Sequence, residues 1–313
     1  MIEELIISGR NNPEIDPHLH IWGWEIPLYL FIGGLVAGIL FFSALYTILG
    51  KEKKYVTAVK WLPLWTPILI GIGLLALLFD LSHVLYSWQL FTNIRWESPM
   101  SWGAWTLLIM TPLSVIWAVS WFPDIFPKLD FKYDILKTAL DWIISIRIYL
   151  AYSLIVLSVI LGIYTGILLS AFNARPFWNT AIMGPLFLTS GLSSGAAATI
   201  LFSKNHDEKL NFAKIDIGLI IIELFFIIHL FMGALAGTQV HIEAAKLFLG
   251  GSYTTSFWIF VVVLGLIIPA FLEALELKKY KIPSFLSAVL VIAGGLILRF
   301  IIVDAGQASR WLY

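Results

Sequence analysis

The sequence contains no cysteine among its 313 residues. Cysteine thiolates ligate iron–sulfur clusters, attach c-type haem and form disulfides, so their absence excludes all three within this protein. Of the six histidines, His83 and His229 fall within long apolar runs. A b-type haem usually needs axial histidines at matching depth on facing helices, so we expect no haem here. A single haem held between these two histidines is an alternative.

Charge is also scarce. Charged residues make up 13% of the sequence, whereas a soluble domain carries about 25%. The 20 basic and 20 acidic side chains balance, which argues against nucleic acid as a partner. Hydrophobic residues make up 59% of the sequence, and the mean hydropathy is +0.89. Lipid must therefore cover most of the surface.

Long apolar runs take the place of the missing charge. A membrane-spanning helix needs about 20 such residues, and eight runs are long enough. We therefore predict an all-α integral membrane protein with eight transmembrane helices in bundles. Gly34 and Gly38 are four residues apart in the first run, which favours close helix packing. The runs cover residues 23–50, 62–92, 100–122, 141–171, 179–202, 214–238, 256–278 and 283–304.

The loops between the runs differ in basic charge. Alternate loops hold thirteen lysines on one side, against five basic residues on the other. Basic loops face the cytoplasm, so we expect both termini outside. The expected divisions are an outward N-terminal segment over 1–22, the transmembrane domain over 23–304 and an outward tail over 305–313. The polar N-terminal segment predicts no cleavable signal peptide, and we expect a multi-pass protein of the inner (cytoplasmic) membrane.

Ionisable and phenolic side chains gather in the outer part of the predicted membrane domain. Glu25 and Tyr29 are four residues apart and share a face of the first helix. Asp80 and His83 are three apart on the predicted second helix, about two-thirds of the way out. Tyr164 lies about 10 Å short of the outer end of the fourth helix, at 1.5 Å per residue.

Further polar groups follow on the same side. Asn173 and Arg175 lie just beyond the fourth helix, and the last helix brings Gln307 to the same side. We expect Arg299 and Asp304 to be structural or interfacial.

A cluster of acid, imidazole, phenol and amide groups suits a quinone. The two quinone carbonyls need hydrogen-bond donors in one redox state and proton acceptors in the other. Three alternatives remain open. The polar groups could pair with one another to hold helices together; the protein could be a secondary transporter or proton-conducting protein with Asp80, Glu223 and Glu273 as a relay; or it could be a structural anchor. Glu223, His229 and Glu273 could also form a proton relay.

Three stretches resemble the NrfD/PsrC family, the membrane subunits of polysulfide-reductase-type respiratory complexes. They are Trp-Gly-Trp-Glu-Ile-Pro-Leu-Tyr from residue 22, Ser-Pro-Met-Ser-Trp-Gly-Ala-Trp from residue 98 and Asn-Ala-Arg-Pro-Phe-Trp-Asn from residue 173. The resemblance implies an eight-helix quinol-binding subunit without its own redox metal. Its partners would be an iron–sulfur subunit and usually a molybdopterin catalytic subunit on the outer face.

The resemblance also implies roles for residues. Tyr164 looks like the family tyrosine beside the quinone, the quinone contacts of the first helix fall around Glu25 and Tyr29, and Asp80 looks like the family acid of the second helix. We thus expect a quinol-oxidising or quinone-reducing subunit that uses menaquinone or another quinone. Asp80, His83 and Glu25 would handle protons, and the binding residues would be Tyr164, Tyr29, Asn173 and Arg175.

Overall fold

The protein is described by a computed structural model that covers residues 22–81, 83–127, 134–280 and 282–309. Within these ranges eight helices are long and apolar enough to cross a membrane, which confirms the predicted number. Most of the N-terminal segment and of the C-terminal tail lies outside the described residues, so the outward termini stay a prediction. The helices are α1 (Glu25–Ile48), α2 (Thr57–Asp80), α3 (Pro99–Ile125), α4 (Arg147–Ser170), α5 (Met183–Phe202), α6 (His206–Leu235), α7 (Ser256–Leu277) and α8 (Ser284–Ala308).

Two helices differ from their predicted bounds. α6 begins at His206 rather than near residue 214, because Asn205 caps it by accepting a hydrogen bond from the Asp207 backbone N–H at 3.0 Å. An acidic first turn also favours a helix start. α2 ends at Asp80 instead of near residue 92, since Leu81 adopts an extended backbone. Apolar residues continue past this point, and hydropathy alone does not separate an apolar turn from a helix.

The eight helices form two four-helix bundles. Helices α1–α4 make one closed ring of neighbours, and α5–α8 make the other. α1 and α5 pack against each other at the centre and are the most buried spans. Their contact uses small residues, because a Cβ atom added to Gly38 would lie 2.3 Å from the Gly191 carbonyl oxygen. The close packing predicted from Gly34 and Gly38 is thereby confirmed.

Polar contacts tie the helices together at the lysine-rich end. The buried Glu208 carboxylate on α6 accepts hydrogen bonds from the Ala58 N–H at 2.9 Å and the Ser203 hydroxyl at 2.7 Å. Lys60 pairs with Asp124 at 3.1 Å. The Arg147 guanidinium lies 3.8 Å from the Trp121 ring centroid. These contacts hold the starts of α2, α4 and α6 in register.

A second set of contacts closes the opposite end of the molecule. The Gln307 side chain accepts a hydrogen bond from the Trp22 N–H at 2.9 Å and donates to the Trp22 carbonyl at 3.0 Å. Trp22 stacks on Trp178 with ring centroids 5.3 Å apart. The Trp178 indole donates to the Ile302 carbonyl at 2.8 Å. The start of α1, the α4–α5 loop and the end of α8 are therefore fixed to one another, which sets the frame around the candidate site.

Candidate functional site

Two buried phenols meet between α1 and α4. Tyr29 is 3% exposed and Tyr164 is 8% exposed, and the two side chains interact electrostatically. The Tyr29 hydroxyl has no hydrogen-bond partner among the described residues. A buried polar group left unpaired costs about 1–3 kcal/mol. The Tyr29 hydroxyl is therefore a buried group available to bind a polar ligand atom.

Glycines on the neighbouring helices make room for this tyrosine pair. A Cβ atom added to Gly103 of α3 would lie 1.8 Å from Tyr164 Cζ. A Cβ atom at Gly73 of α2 would be 3.5 Å from Tyr29 Cδ2. Gly103 belongs to the Ser-Pro-Met-Ser-Trp-Gly-Ala-Trp stretch. That stretch therefore shapes the tyrosine environment, a role that its residue types alone did not reveal.

A cavity of about 420 Å³ opens between α3 and α4 beside Tyr164. Small-molecule sites are typically apolar concavities of about 300–1,000 Å³ with a few polar groups. Several residues of its lining face the outside of the bundle, including Trp102 and Ile160, so a ligand could enter from the lipid. The lining consists of Glu97, Pro99, Trp102, Thr106, Val159, Ile160, Ile163, Tyr164 and Ile167.

Two further polar groups in this region had not been singled out from the sequence. Glu97 lines the cavity, one residue before the conspicuous Ser-Pro-Met stretch. The Trp105 indole N–H on α3 is buried and has no partner among the described residues. Both lie next to or within the stretch that carried the family resemblance. That stretch was the available signal for them.

Glu25 and Asp80 form a carboxyl pair at the start of α1 and the end of α2. Both are partly buried, and they interact electrostatically. Glu25 lies one helical turn from Tyr29 on the same face of α1. A carboxyl pair one turn from a phenol pair suits proton transfer, because like charges held close together favour keeping a proton on one of them.

His83 does not share a helix face with Asp80, so that part of the sequence prediction was wrong. α2 ends at Asp80, and His83 is exposed in the turn that follows. Its ring lies 6.3 Å from the Tyr86 ring, centroid to centroid. His83 lines an open cleft of about 840 Å³ together with Leu81 and Arg95. The imidazole thus borders the cleft beyond the carboxyl pair.

Arg175 is engaged with the end of α8. Its guanidinium Nη1 donates to the Gln307 carbonyl at 2.6 Å and to the Ser309 carbonyl at 3.1 Å. These bonds anchor the α4–α5 loop to α8. Asn173 is exposed in the same loop. The structure brings Tyr29 and Tyr164 together and pairs Glu25 with Asp80, whereas it directs Arg175 toward the backbone of α8.

A separate polar cluster lies inside the α5–α8 bundle. Arg299 is fully buried and donates to the Ser190 hydroxyl and to the Phe187 carbonyl, the latter at 3.1 Å. The Glu223 carboxyl lies close to Arg299 and Ser190. Arg299 was expected to be structural or interfacial, and its depth rules out the interface. The transporter hypothesis joined Asp80 with Glu223 and Glu273, but Asp80 lies against Glu25 in the other bundle.

The fold and the two polar sites define a class of protein. Eight apolar helices in two bundles form a multi-pass membrane protein, with a pocket open toward lipid and buried phenols at its wall. Within the described ranges no three His, Asp or Glu side chains are arranged to hold a metal ion.

Comparison with known proteins gives the family. A family model described as "Polysulphide reductase, NrfD" matches residues 12–309. The sequence is 31% identical to Protein NrfD of Escherichia coli over 307 residues, which is 92% of this protein and 96% of the relative. It is 32% identical to the C subunit of polysulfide reductase from Wolinella succinogenes over 309 residues, covering 92% and 94%. The protein belongs to the NrfD family of membrane subunits, as its sequence stretches indicated.

Proposed function

We propose that this protein is the quinol- and quinone-binding membrane subunit of a respiratory oxidoreductase of the inner (cytoplasmic) membrane. The observation that carries the proposal is the buried Tyr29 hydroxyl, which lacks a partner among the described residues and lies against Tyr164 at the wall of a lipid-facing cavity. Menaquinone or a related quinone has an apolar ring and two carbonyl oxygens. Phenol donors in an apolar pocket match both properties.

The residues divide the work of the reaction. Tyr164 and Tyr29 hydrogen-bond the oxygens of the bound quinol, and aromatic and aliphatic side chains of α3 and α4 hold its ring. Glu25 and Asp80, one turn farther along, accept the protons that leave when the quinol is oxidised, or supply them in reverse. His83 in the adjoining cleft passes protons on toward water.

The electrons need a carrier outside this protein. The sequence has no cysteine for an iron–sulfur cluster. We therefore infer that an iron–sulfur subunit docks on the outer face and that a molybdopterin subunit completes the complex. The relative from Wolinella succinogenes is named as one lettered component of a polysulfide reductase, which supports a place in a multi-subunit enzyme.

The proposal is tested by Tyr29→Phe and Tyr164→Phe in the assembled complex. Each change removes a hydroxyl and keeps the ring. We expect quinol binding to weaken by about 0.5–1.5 kcal/mol per lost hydrogen bond, and turnover to fall further if the bond strengthens during reaction. Tyr29→Phe also removes an unpaired buried hydroxyl, so the quinone-free complex should unfold at the same temperature or a higher one.

The matched control is Tyr152→Phe, because Tyr152 is on α4 like Tyr164 but is 56% exposed. This control should bind and oxidise quinol as the wild type does. Quinol titration, steady-state oxidation and thermal unfolding are the measurements. Unchanged binding and turnover in both site variants would show that the tyrosines only pack helices, and the quinone site would lie elsewhere.

A further inference from the structure

The α5–α8 bundle contains two buried carboxyl groups that face each other. Asp216 on α6 and Glu273 on α7 are both fully buried, and they lie close enough to interact electrostatically and to share a proton. Neither Glu273 oxygen accepts a hydrogen bond from a donor among the described residues, and neither does Asp216 Oδ2. The other Asp216 oxygen accepts a 2.5 Å hydrogen bond from the Ser193 hydroxyl.

Two unscreened carboxylates side by side in hydrocarbon would be very costly. Isolated buried carboxylates neutralise by taking up a proton, and paired carboxyl groups share one. Glu208 in the same helix shows the contrast. It is equally buried, but its oxygens accept bonds from two backbone N–H groups and from Ser203. Glu208 therefore has a structural explanation that Asp216 and Glu273 do not have.

The carboxyl pair is connected toward the lysine-rich end of the bundle. Glu276 is one turn beyond Glu273 on α7 and interacts with it electrostatically. Its carboxylate accepts a 2.6 Å hydrogen bond from Ser284. Both Glu276 and Ser284 line an open cleft of about 660 Å³ that also contains Lys204, Lys209 and Lys279. Water therefore has access to within one helical turn of Glu273.

The pair is also connected toward the centre of the molecule. Asp216 interacts electrostatically with Glu223, two turns farther along α6. Glu223 lies close to Ser190 and Arg299. A Cβ atom added to Gly34 of α1 would be 3.3 Å from Arg299 Nη2. Gly34 lies five residues from Tyr29, which is about 8 Å along a helix.

We propose that α5–α8 carry a proton path from the lysine-rich face, through Glu276 and the Asp216–Glu273 pair, to Glu223 and Arg299 beside α1. A proton from cleft water adds to a carboxylate, and the neighbouring carboxyl passes its own proton inward. Only O–H bonds form and break, and no electrons move. The link to quinol turnover rests on the proposed function, whereas the proton held by the carboxyl pair does not.

The first experiment reads the proton directly. Infrared spectra of the whole complex, recorded against pH, should show the carbonyl stretch of a protonated carboxylic acid. This band should shift or vanish in Glu273→Gln and in Asp216→Asn. Glu208→Gln is the matched control, a buried carboxyl with full hydrogen bonding, and it should leave the band in place. A band unchanged in both pair variants would overturn the proposal, whatever the complex does with quinol.

The second experiment reads the path. The complex is placed in liposomes with a pH-sensitive dye, and quinol oxidation and proton uptake from the lysine-rich side are followed together. Glu273→Gln should lower uptake by roughly 10²–10⁴-fold, the usual loss for a missing proton-transfer group, while uncoupled quinol oxidation continues. Glu273→Asp, which keeps a carboxyl, should restore part of the uptake. Wild-type uptake in Glu273→Gln would contradict the path, and absent quinol oxidation in the wild type would contradict only the proposed function.

Discussion

Individual buried polar residues in this protein divide into those bonded to the fold and those left unbonded. Glu208, Gln307 and Arg175 are bonded to backbone groups of distant segments and hold the fold together. The Tyr29 hydroxyl has no partner, and the Glu273 carboxyl no donor, among the described residues. Since an unpaired buried group costs stability, a residue of the second kind is better explained by what it binds than by what it packs against.

Asp80 gives the sharpest prediction at the residue scale. Asp80→Asn keeps the shape of the side chain and removes a proton acceptor. We expect quinol to bind normally while turnover falls roughly 10²–10⁴-fold, as for a lost general acid or base. Binding titration and steady-state oxidation of assembled complexes measure the two quantities.

Glu243→Gln is the control, because Glu243 is an exposed carboxylate paired with Lys246 at 2.7 Å. It should oxidise quinol as the wild type does. Normal turnover in Asp80→Asn would remove Asp80 from the proton path.

Whole helices meet closely where small residues allow it. Gly34 and Gly38 on α1 face Gly191 and Gly195 on α5 with backbone in direct contact. In a membrane the hydrophobic effect does not drive helices together, so such close packing supplies much of the association between bundles. The same contact brings Arg299 of the second bundle up to α1.

Gly38→Ala is the prediction at the scale of the element. The added Cβ would lie 2.3 Å from the Gly191 carbonyl oxygen, so α1 and α5 must separate. We expect a loss of about 1–3 kcal/mol in stability from this overpacking, seen as a lower unfolding temperature in detergent.

Gly71→Ala on α2 is the matched control, since an added Cβ there meets nothing within 4 Å. It should be neutral or slightly stabilising, because alanine is favoured over glycine in helices. Equal effects of the two changes would show that the α1–α5 contact is not as tight as described.

The whole molecule is asymmetric across the membrane. Thirteen lysines lie on one side, and the tyrosine pair, the Glu25–Asp80 pair and the large cleft lie toward the other. We therefore predict that the lysine-rich loops face the cytoplasm and that the redox partner docks on the opposite face.

Cysteine labelling tests this orientation in intact cells. The protein has no native cysteine, so single cysteines at Lys53 and at Arg95 each give one unambiguous site. An impermeant thiol reagent should label the cysteine at Arg95 from outside and leave the one at Lys53 unlabelled until the cells are opened. Labelling of both from the same side would contradict the predicted topology.

The sequence by itself determined the membrane class, the number of helices and the residues worth suspecting. These properties are local: about 20 apolar residues in a row must form a helix in lipid, and a tyrosine or aspartate within such a run stands out wherever the run packs. The family stretches added the role of the region around Trp102 and Gly103. The glycine step in α1 also indicated close packing before its partner on α5 was known.

Only the tertiary structure decided which of these residues meet. Helix contacts depend on the rotation and depth of each helix, and a one-dimensional pattern does not encode either. The Tyr29–Tyr164 pair, the pocket beside Tyr164 and the buried Asp216–Glu273 pair arise between segments far apart in sequence. His83 was misplaced because its apolar surroundings hid the end of α2. Contacts across helices, rather than composition, thus decided where chemistry takes place in this protein.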